Sequence, residues 1–133
     1  MSLRILVTGA SGFVGGAFLR RFQGQPGLDI HGIGRRACAL PNYHRIDLSQ
    51  PFTLDWQPDV VIHAAALASP WGTRAQFELH NVQATANVID FCTRNGNPRL
   101  LYVSSSSVFY REEHQYGLSE DSPIGPRFVN TYA

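Results

Sequence analysis

The glycine pattern near the N-terminus constrains the fold of this chain more than any other feature of its sequence. An apolar run over residues 5–7 ends at Thr8-Gly9, and glycines recur at Gly12 and Gly15. Apolar residues then follow at the spacing of one helix face, namely Phe13, Val14, Ala17, Phe18 and Phe22. The sequence therefore predicts a strand over residues 3–7, a tight glycine turn and a helix over residues 12–22.

This T-G-x-x-G-x-x-G turn has the form that binds the pyrophosphate of a dinucleotide. Gly9 permits the sharp turn, Gly12 lets the backbone approach the phosphates, and Gly15 lets the helix pack closely against the strand. Unpaired N–H groups and the positive end of the helix dipole would then face the phosphates. The alternative is an ordinary glycine-rich turn without a ligand, which the position directly after an N-terminal strand disfavours.

Strand and helix patterns alternate along the rest of the chain. The predicted strands cover residues 29–34, 43–46, 60–65 and 100–104. The longest predicted helix covers residues 74–94, with Val82, Ala86, Ile89 and Thr93 at helical spacing. The continuous apolar character of residues 60–65 predicts a strand buried on both faces. Such alternation predicts an α/β fold, a doubly wound parallel sheet with helices on both faces, and residues from 105 onward are expected to form a loop.

The composition narrows the class of protein. The chain has 133 residues, of which 44% are hydrophobic and 16% charged, as in one soluble globular domain. A net charge of +1 gives no electrostatic basis for binding nucleic acid or an anionic membrane, and no apolar run reaches membrane-spanning length. Because there is no secretory signal pattern, Cys38 and Cys92 are expected to be free thiols of a cytoplasmic protein, with no metal site.

Five motifs in the same order resemble those of the extended short-chain dehydrogenase/reductase family, which comprises NAD(P)-dependent sugar epimerases, dehydratases and reductases. They are the glycine turn, Asp47-Leu48, His63-Ala64-Ala65-Ala66, Asn81-Val82-x-x-Thr85, and the serine-rich segment 103–109. Ala84 stands where the family has a glycine, which is a small-for-small change. The resemblance implies a Rossmann-type fold, with residues 1–133 as its N-terminal NAD(P)-binding portion, incomplete at the C-terminus.

The resemblance also assigns cofactor contacts. The adenine is expected beside Asp47-Leu48, and the nicotinamide side beside the segment that begins at His63. The residues expected to bind the cofactor are Gly9, Ser11, Gly12, Phe13, Val14, Gly15, Arg35, Arg36, Asp47, Leu48, His63, Ala64, Ala65, Asn81 and Tyr132.

The end of the second strand indicates which nicotinamide cofactor binds. NAD enzymes of this fold place an acidic residue there to accept hydrogen bonds from the ribose 2′-OH. Here Gly34 holds that position and Arg35-Arg36 follow. A missing carboxylate removes repulsion of a 2′-phosphate, and a guanidinium can bind that phosphate with two hydrogen bonds. The sequence favours NADP; in the alternative NAD binds, with both arginines solvated or stacked on adenine.

The catalytic residues follow from the resemblance by position. In the family a tyrosine, assisted by a lysine, moves the proton on the substrate oxygen, while a serine or threonine hydroxyl holds that oxygen. The matching residues are Tyr132 and Ser105, with Ser106 as the alternative if the register differs by one. The lysine would lie four residues after Tyr132, and all eleven basic residues of the chain are arginine. The substrate-binding part is therefore expected to be absent and the chain alone to be inactive.

The implied function is hydride transfer on a hydroxyl or carbonyl group of a small-molecule substrate. The segment around Trp71-Gly72 and the Val108-Phe109 pair look more like 3β-hydroxysteroid and β-keto acid enzymes. A nucleotide-sugar epimerase or dehydratase is the first alternative, and a non-catalytic NAD(P)-binding module, disfavoured by Tyr132, is the second. Since members of the family often dimerise through packed helices, residues 74–94 are the candidate interface of a homodimer.

Overall fold

The computed structural model describes residues 1–133 as alternating strands and helices. In chain order they are β1 (Leu3–Thr8), α1 (Phe13–Phe22), β2 (Leu28–Gly34), β3 (Tyr43–Arg45), β4 (Val60–His63), α2 (Arg74–Phe77), α3 (Ala84–Arg94) and β5 (Arg99–Tyr102). A π-helical segment, Glu78–Gln83, joins α2 to α3, so that the predicted long helix is present with an irregular middle. A 3-10 turn, Ser106–Phe109, interrupts the region expected to be a loop.

The strands form one parallel sheet in the order β3-β2-β1-β4-β5. The chain runs outward from β1 to β3 and then crosses back to β4, so the order reverses between β1 and β4. Thr8, at the end of β1, lies between Ile33 of β2 and His63 of β4. Ligands of such sheets bind beyond the carboxyl ends of the strands at this reversal. The predicted doubly wound parallel sheet is confirmed.

Each face of the sheet is covered by a helix and its own apolar cluster. Ile5 and Val7 of β1 point to α1 and pack with Leu19, whereas Leu6 between them points to α3 and packs with Phe91. The predicted placement of helices on both faces is therefore confirmed. None of these helices combines the length and the apolar character that crossing a bilayer requires.

The buried face of α1 is not the face on which its apolar side chains recur. The residues that face the sheet are Gly15, Gly16 and Leu19, whereas Phe13 is 89% exposed. Of the apolar residues at helical spacing, Phe13, Val14 and Ala17 are exposed, whereas Phe18 and Phe22 are half-buried. The cause is close packing, because a Cβ at Gly15 would lie 2.8 Å from the carbonyl carbon of Gly9. Glycines, not aromatic residues, let the helix approach the strand.

The prediction of a strand buried on both faces over residues 60–65 was wrong in part. On β4, Val61 and His63 are buried but Val60 and Ile62 are only half-buried, because α1 packs on β1 and β2 and leaves β4 partly uncovered on that side. On the long helix, the residues noted for their helical spacing, Val82, Ala86, Ile89 and Thr93, form an exposed face. The face that packs on the sheet is the neighbouring one, made of Ala84, Asn87, Val88, Phe91 and Cys92.

Candidate cofactor-binding site

A cleft of about 380 Å³ opens at the carboxyl ends of β1, β2 and β4, where the strand order reverses. Residues predicted from the sequence to bind the cofactor line it in pairs: Gly9 and Ser11 in the glycine turn, Arg35 and Arg36 after β2, Asp47 and Leu48 after β3, and Ala64 and Ala65 after β4. The fold therefore brings together four loops that are distant in sequence.

The glycine turn is shaped to receive an anion. Gly9 has a φ of 68°, and a Cβ there would lie 2.9 Å from the backbone of Ala64. Gly12 is the N-cap of α1, with no side chain capping the helix and no acidic residue in its first turn. The first N–H groups of the helix, including those of Phe13 and Val14, have no partner inside the helix and point toward its open end. A pyrophosphate fits this open, uncapped end.

A side chain at the end of β2 would displace its neighbours. A Cβ at Gly34 would lie 2.8 Å from Oγ of Ser11 and closer still to the Tyr43 hydroxyl. That hydroxyl donates to the carbonyl of Arg36 at 2.5 Å. The guanidinium of Arg36 in turn donates to the carbonyl of Ser11 at 3.0 Å. At the position where an acidic residue would accept from a ribose 2′-OH, the chain therefore has Gly34, packed against Ser11 and Tyr43. The guanidinium of Arg36 lies beside it.

The loop after β3 forms another wall of the cleft. Asp47 accepts a hydrogen bond from the N–H of Ser49 at 3.0 Å, and this bond is the main cause that lowers the pKa of the Asp47 carboxyl. Leu48 is buried, and its carbonyl accepts from the side-chain amide of Asn87 at 2.8 Å. The loop is thus fixed against α3, which keeps an apolar surface at Leu48 facing the cleft.

His63 lines neither this cleft nor the smaller one described below. It is 1% exposed, with Nδ1 2.7 Å from Oγ1 of Thr8 and Nε2 2.9 Å from Oγ1 of Thr85. The Thr85 hydroxyl donates to the carbonyl of Asn81 at 2.6 Å, and the Thr8 hydroxyl accepts from the N–H of Ala65 at 3.1 Å. The imidazole therefore donates through Nε2 and accepts at Nδ1. Burial lowers the pKa of His63 to about 4, so the ring is neutral at pH 7.

A second cleft, of about 100 Å³, adjoins the first and shares Ala65 and Ala66 with it. Ser105 and Tyr132 both line this smaller cleft, although 27 positions separate them in the sequence. Ser106 does not line it. The Ser105 hydroxyl oxygen accepts from the hydroxyl of Ser107 at 2.9 Å, which leaves its own proton free to donate.

Asn81 lies at the junction of the helix and the loop after β4. Its Oδ1 accepts from the N–H of Leu67 at 2.7 Å, and its Nδ2 donates to the carbonyl of Leu67 at 3.3 Å. The side chain also lines the smaller cleft. Asn81 thus fixes the course of the loop that contains Ala65, and it comes from the π-helical segment, a feature that often marks functional sites.

Three residues of this region are not predicted from the sequence. Thr8 and Thr85 belong to motifs that were noted, so their place in the His63 network could have been inferred from those motifs. His80 lines the larger cleft and lies 3.3 Å from a guanidinium nitrogen of Arg35. No motif signalled it, because the π-helical geometry that carries it leaves no mark in the apolar spacing.

The family of the chain follows from comparison with known proteins. The model of the NAD dependent epimerase/dehydratase family matches residues 5–133. The chain belongs to this family. Membership confirms the predicted relationship and a nicotinamide dinucleotide, NAD or NADP, as the cofactor. The glycine cradle and the uncapped end of α1 are consistent with that cofactor.

Individual family members give the degree of similarity. The chain is 34% identical to 2-alkyl-3-oxoalkanoate reductase of Shewanella oneidensis over 96% of its own length and 35% of that protein. It is 33% identical to the protein of the same name from Stenotrophomonas maltophilia, over 98% of its length and 42% of that protein. A crystal structure of UDP-galactose 4-epimerase matches with a TM-score of 0.83 and 26% identity, over 98% of this chain and 46% of that one. The chain thus spans less than half the length of these proteins.

Proposed function

We propose that residues 1–133 are the NAD(P)-binding portion of a longer oxidoreductase that acts on a carbonyl or hydroxyl group. The observation that carries this proposal is that Ser105 and Tyr132 line one small cleft, which joins the arginine-lined cleft at Ala65 and Ala66. A proton-transferring group and a hydroxyl donor are thus adjacent to the expected cofactor site. The greater length of the related proteins supports a further, substrate-binding part.

In the proposed reaction the chain binds the cofactor and handles the proton. The glycine turn and the end of α1 bind the pyrophosphate, and Arg35 and Arg36 bind the 2′-phosphate. When bound, the cofactor exchanges a hydride with the substrate carbon through its nicotinamide ring. Ser105 donates a hydrogen bond to the substrate oxygen, because Ser107 already donates to its own oxygen. Tyr132 gives a proton to that oxygen during reduction and takes it during oxidation.

The substrate class is proposed from similarity. Two relatives at 33% and 34% identity are 2-alkyl-3-oxoalkanoate reductases, which favours a β-oxo acid as the substrate over a nucleotide sugar. The alternative is epimerisation of a nucleotide sugar, which the fold of UDP-galactose 4-epimerase supports. A non-catalytic cofactor-binding module is disfavoured because Tyr132 and Ser105 line the same cleft.

The test of this proposal uses the protein at its natural length. NADPH oxidation with a 2-alkyl-3-oxoalkanoate is followed by the absorbance of the reduced nicotinamide, and conversion of UDP-galactose is followed separately. Turnover of the oxo acid alone supports the proposal. Turnover of the nucleotide sugar alone supports the epimerase, and turnover of neither, with NADP bound, supports a binding module.

We further propose that NADP is preferred over NAD. The Gly34 position cannot hold a carboxylate without displacing Ser11 or Tyr43, and Arg36 is fixed on the glycine turn. Two guanidinium groups in the cleft provide charge for a 2′-phosphate, and the last residue of β2 is Gly34 instead of an acidic residue.

The proposed partner beyond the substrate is a second copy of the chain. The exposed face of the long helix carries apolar or small residues at alternating spacings of three and four, namely Leu79, Val82, Ala86, Ile89 and Thr93. Within α3, Ala86, Ile89 and Thr93 have the three- and four-residue spacing of a helix packing seam. Ile89→Arg should convert a dimer to a monomer in light scattering.

The two free cysteines, Cys38 and Cys92, support a cytoplasmic location.

A further inference from the structure

Arg35 and His80 approach each other across the larger cleft. Arg35 directly follows β2, whereas His80 lies in the π-helical segment on the other side. Nη1 of Arg35 is 3.3 Å from Nε2 of His80, and both residues line the cleft. Because a guanidinium can only donate hydrogen bonds, Nε2 of His80 is the acceptor and the ring proton is on Nδ1.

The two arginines of the cleft are held by different neighbours. The guanidinium of Arg36 donates to the carbonyl of Ser11 in the glycine turn at 3.0 Å. The backbone carbonyl of Arg35 accepts from Nε of Arg45 at 3.0 Å, which fixes the main chain at this point. The side chain of Arg35 is exposed, and its guanidinium forms a side-chain hydrogen bond with His80. Removal of the His80 acceptor would therefore free a long side chain to sample many rotamers.

We propose that His80 is a positioning residue for recognition of the 2′-phosphate, because it holds the Arg35 guanidinium over the cleft before the cofactor binds. This inference rests on the proposed preference for NADP. One N–H of Arg35 is used by His80, and the remaining N–H groups stay available for phosphate oxygens. A side chain that is already ordered loses less entropy when the ligand binds.

The size of the effect follows from that entropy. Immobilising one flexible side chain on binding weakens affinity by roughly 3- to 10-fold. The loss should concern only ligands that carry the 2′-phosphate, because the contact of His80 is with Arg35. It should also vanish once the Arg35 guanidinium has been removed, since His80 then has nothing to position.

The experiment measures binding of 2′,5′-ADP and 5′-AMP, which differ only in the 2′-phosphate, by calorimetry. The variants are His80→Leu, which has no acceptor, His80→Gln, which keeps one, Arg35→Ala, and the double variant His80→Leu with Arg35→Ala. His114→Leu, a change at an exposed histidine outside the cleft, is the matched control.

We expect His80→Leu to weaken 2′,5′-ADP by about 3- to 10-fold and to leave 5′-AMP unchanged. His80→Gln should restore most of the affinity, and His80→Leu should add nothing to Arg35→Ala. The inference would be overturned if His80→Leu weakened both nucleotides equally, or if His80→Gln did not restore the affinity. It would also be overturned if His80→Leu weakened 2′,5′-ADP as much in the Arg35→Ala protein as in the unchanged one. If the unchanged chain binds both nucleotides equally, the NADP preference itself fails. If that preference is present and depends on Arg35 but not on His80, only this inference fails.

Discussion

Thr8 Oγ1 lies 2.7 Å from Nδ1 of His63, which joins the ends of β1 and β4 at the point where the strand order reverses. The same threonine oxygen accepts from the N–H of Ala65, and the other side of the imidazole contacts Thr85 of α3. Every polar atom of the imidazole is thus paired inside the protein. This network fixes the loop that forms the junction of both clefts.

His63→Leu should therefore destabilise the fold. The change leaves the Thr8 hydroxyl without its acceptor and Thr85 without its donor, and each unpaired buried group costs about 1–3 kcal/mol. We expect a loss of about 2–4 kcal/mol in the free energy of unfolding at pH 7, measured by urea denaturation. His114→Leu, an exposed change, should alter it by less than about 0.5 kcal/mol.

The pH dependence of stability gives the same network an independent test. Because burial lowers the pKa of His63 to about 4, the unfolded chain binds more protons than the folded one below about pH 6.5. Stability from this group is complete above pH 6.5 and is lost as the pH falls to about 4, by about 3 kcal/mol. The difference in stability between the unchanged chain and His63→Leu should shrink over this range. A constant difference would contradict a neutral, buried His63.

Gly12→Val should weaken cofactor binding by 10-fold or more, which corresponds to about 1.4 kcal/mol. A Cβ at Gly12 would lie 3.1 Å from the carbonyl oxygen of Gly9, and a branched side chain would cover the open end of α1. The matched control is Ala17→Val on the exposed side of α1, which should leave affinity unchanged. Undiminished affinity in a folded Gly12→Val protein, by calorimetry, would remove the glycine turn from the site.

Ser105 is the candidate hydroxyl donor, and the neighbouring Ser106 is its matched control. Ser105 lines the small cleft and Ser106 does not. In the protein at its natural length, Ser105→Ala should lower kcat by about 10²-fold, the usual effect of removing one hydrogen-bond donor to a reacting oxygen. Ser106→Ala should change kcat by less than about 2-fold on the same grounds. The reverse order of effects would show that the register is shifted by one residue.

Tyr132→Phe should remove the proton-transferring group and little else. We expect kcat to fall by about 10²- to 10⁴-fold in the protein at its natural length, while the affinity for the cofactor changes little. Tyr116→Phe, at a side chain that is 88% exposed, is the control. Full activity of Tyr132→Phe would show that the chemistry lies on another residue.

Much of the fold was predictable because it depends on local patterns. The glycine turn fixed the first strand, turn and helix, and apolar runs located the other strands to within one or two residues at most ends. Which helix face is buried was not predictable in the same way. On α1 the requirement for close approach at Gly15 and Gly16 outweighs the burial of Phe13, and on α3 two apolar faces compete for the sheet.

The candidate site was predictable where a motif carries its own geometry. Gly9, Arg36 and Ser105 lie in the clefts because short segments place them directly after strands. His63 resembles a site residue in sequence, yet its neighbours in space turn it inward, toward Thr8 and Thr85. The contact between Arg35 and His80 joins positions 45 residues apart and depends on a π-helical segment. Pairings of this kind require the tertiary structure.

The measurement that tests the account most directly is the affinity of the chain for NADP and NAD at one salt concentration, since ions screen the 2′-phosphate contact. We predict that NADP binds at least about 10-fold more tightly than NAD, equivalent to about 1.4 kcal/mol, and that Arg35→Ala or Arg36→Ala reduces this ratio. Equal affinities in the unchanged chain, or a ratio that neither arginine variant alters, would contradict the assignment of the arginine-lined cleft to the 2′-phosphate.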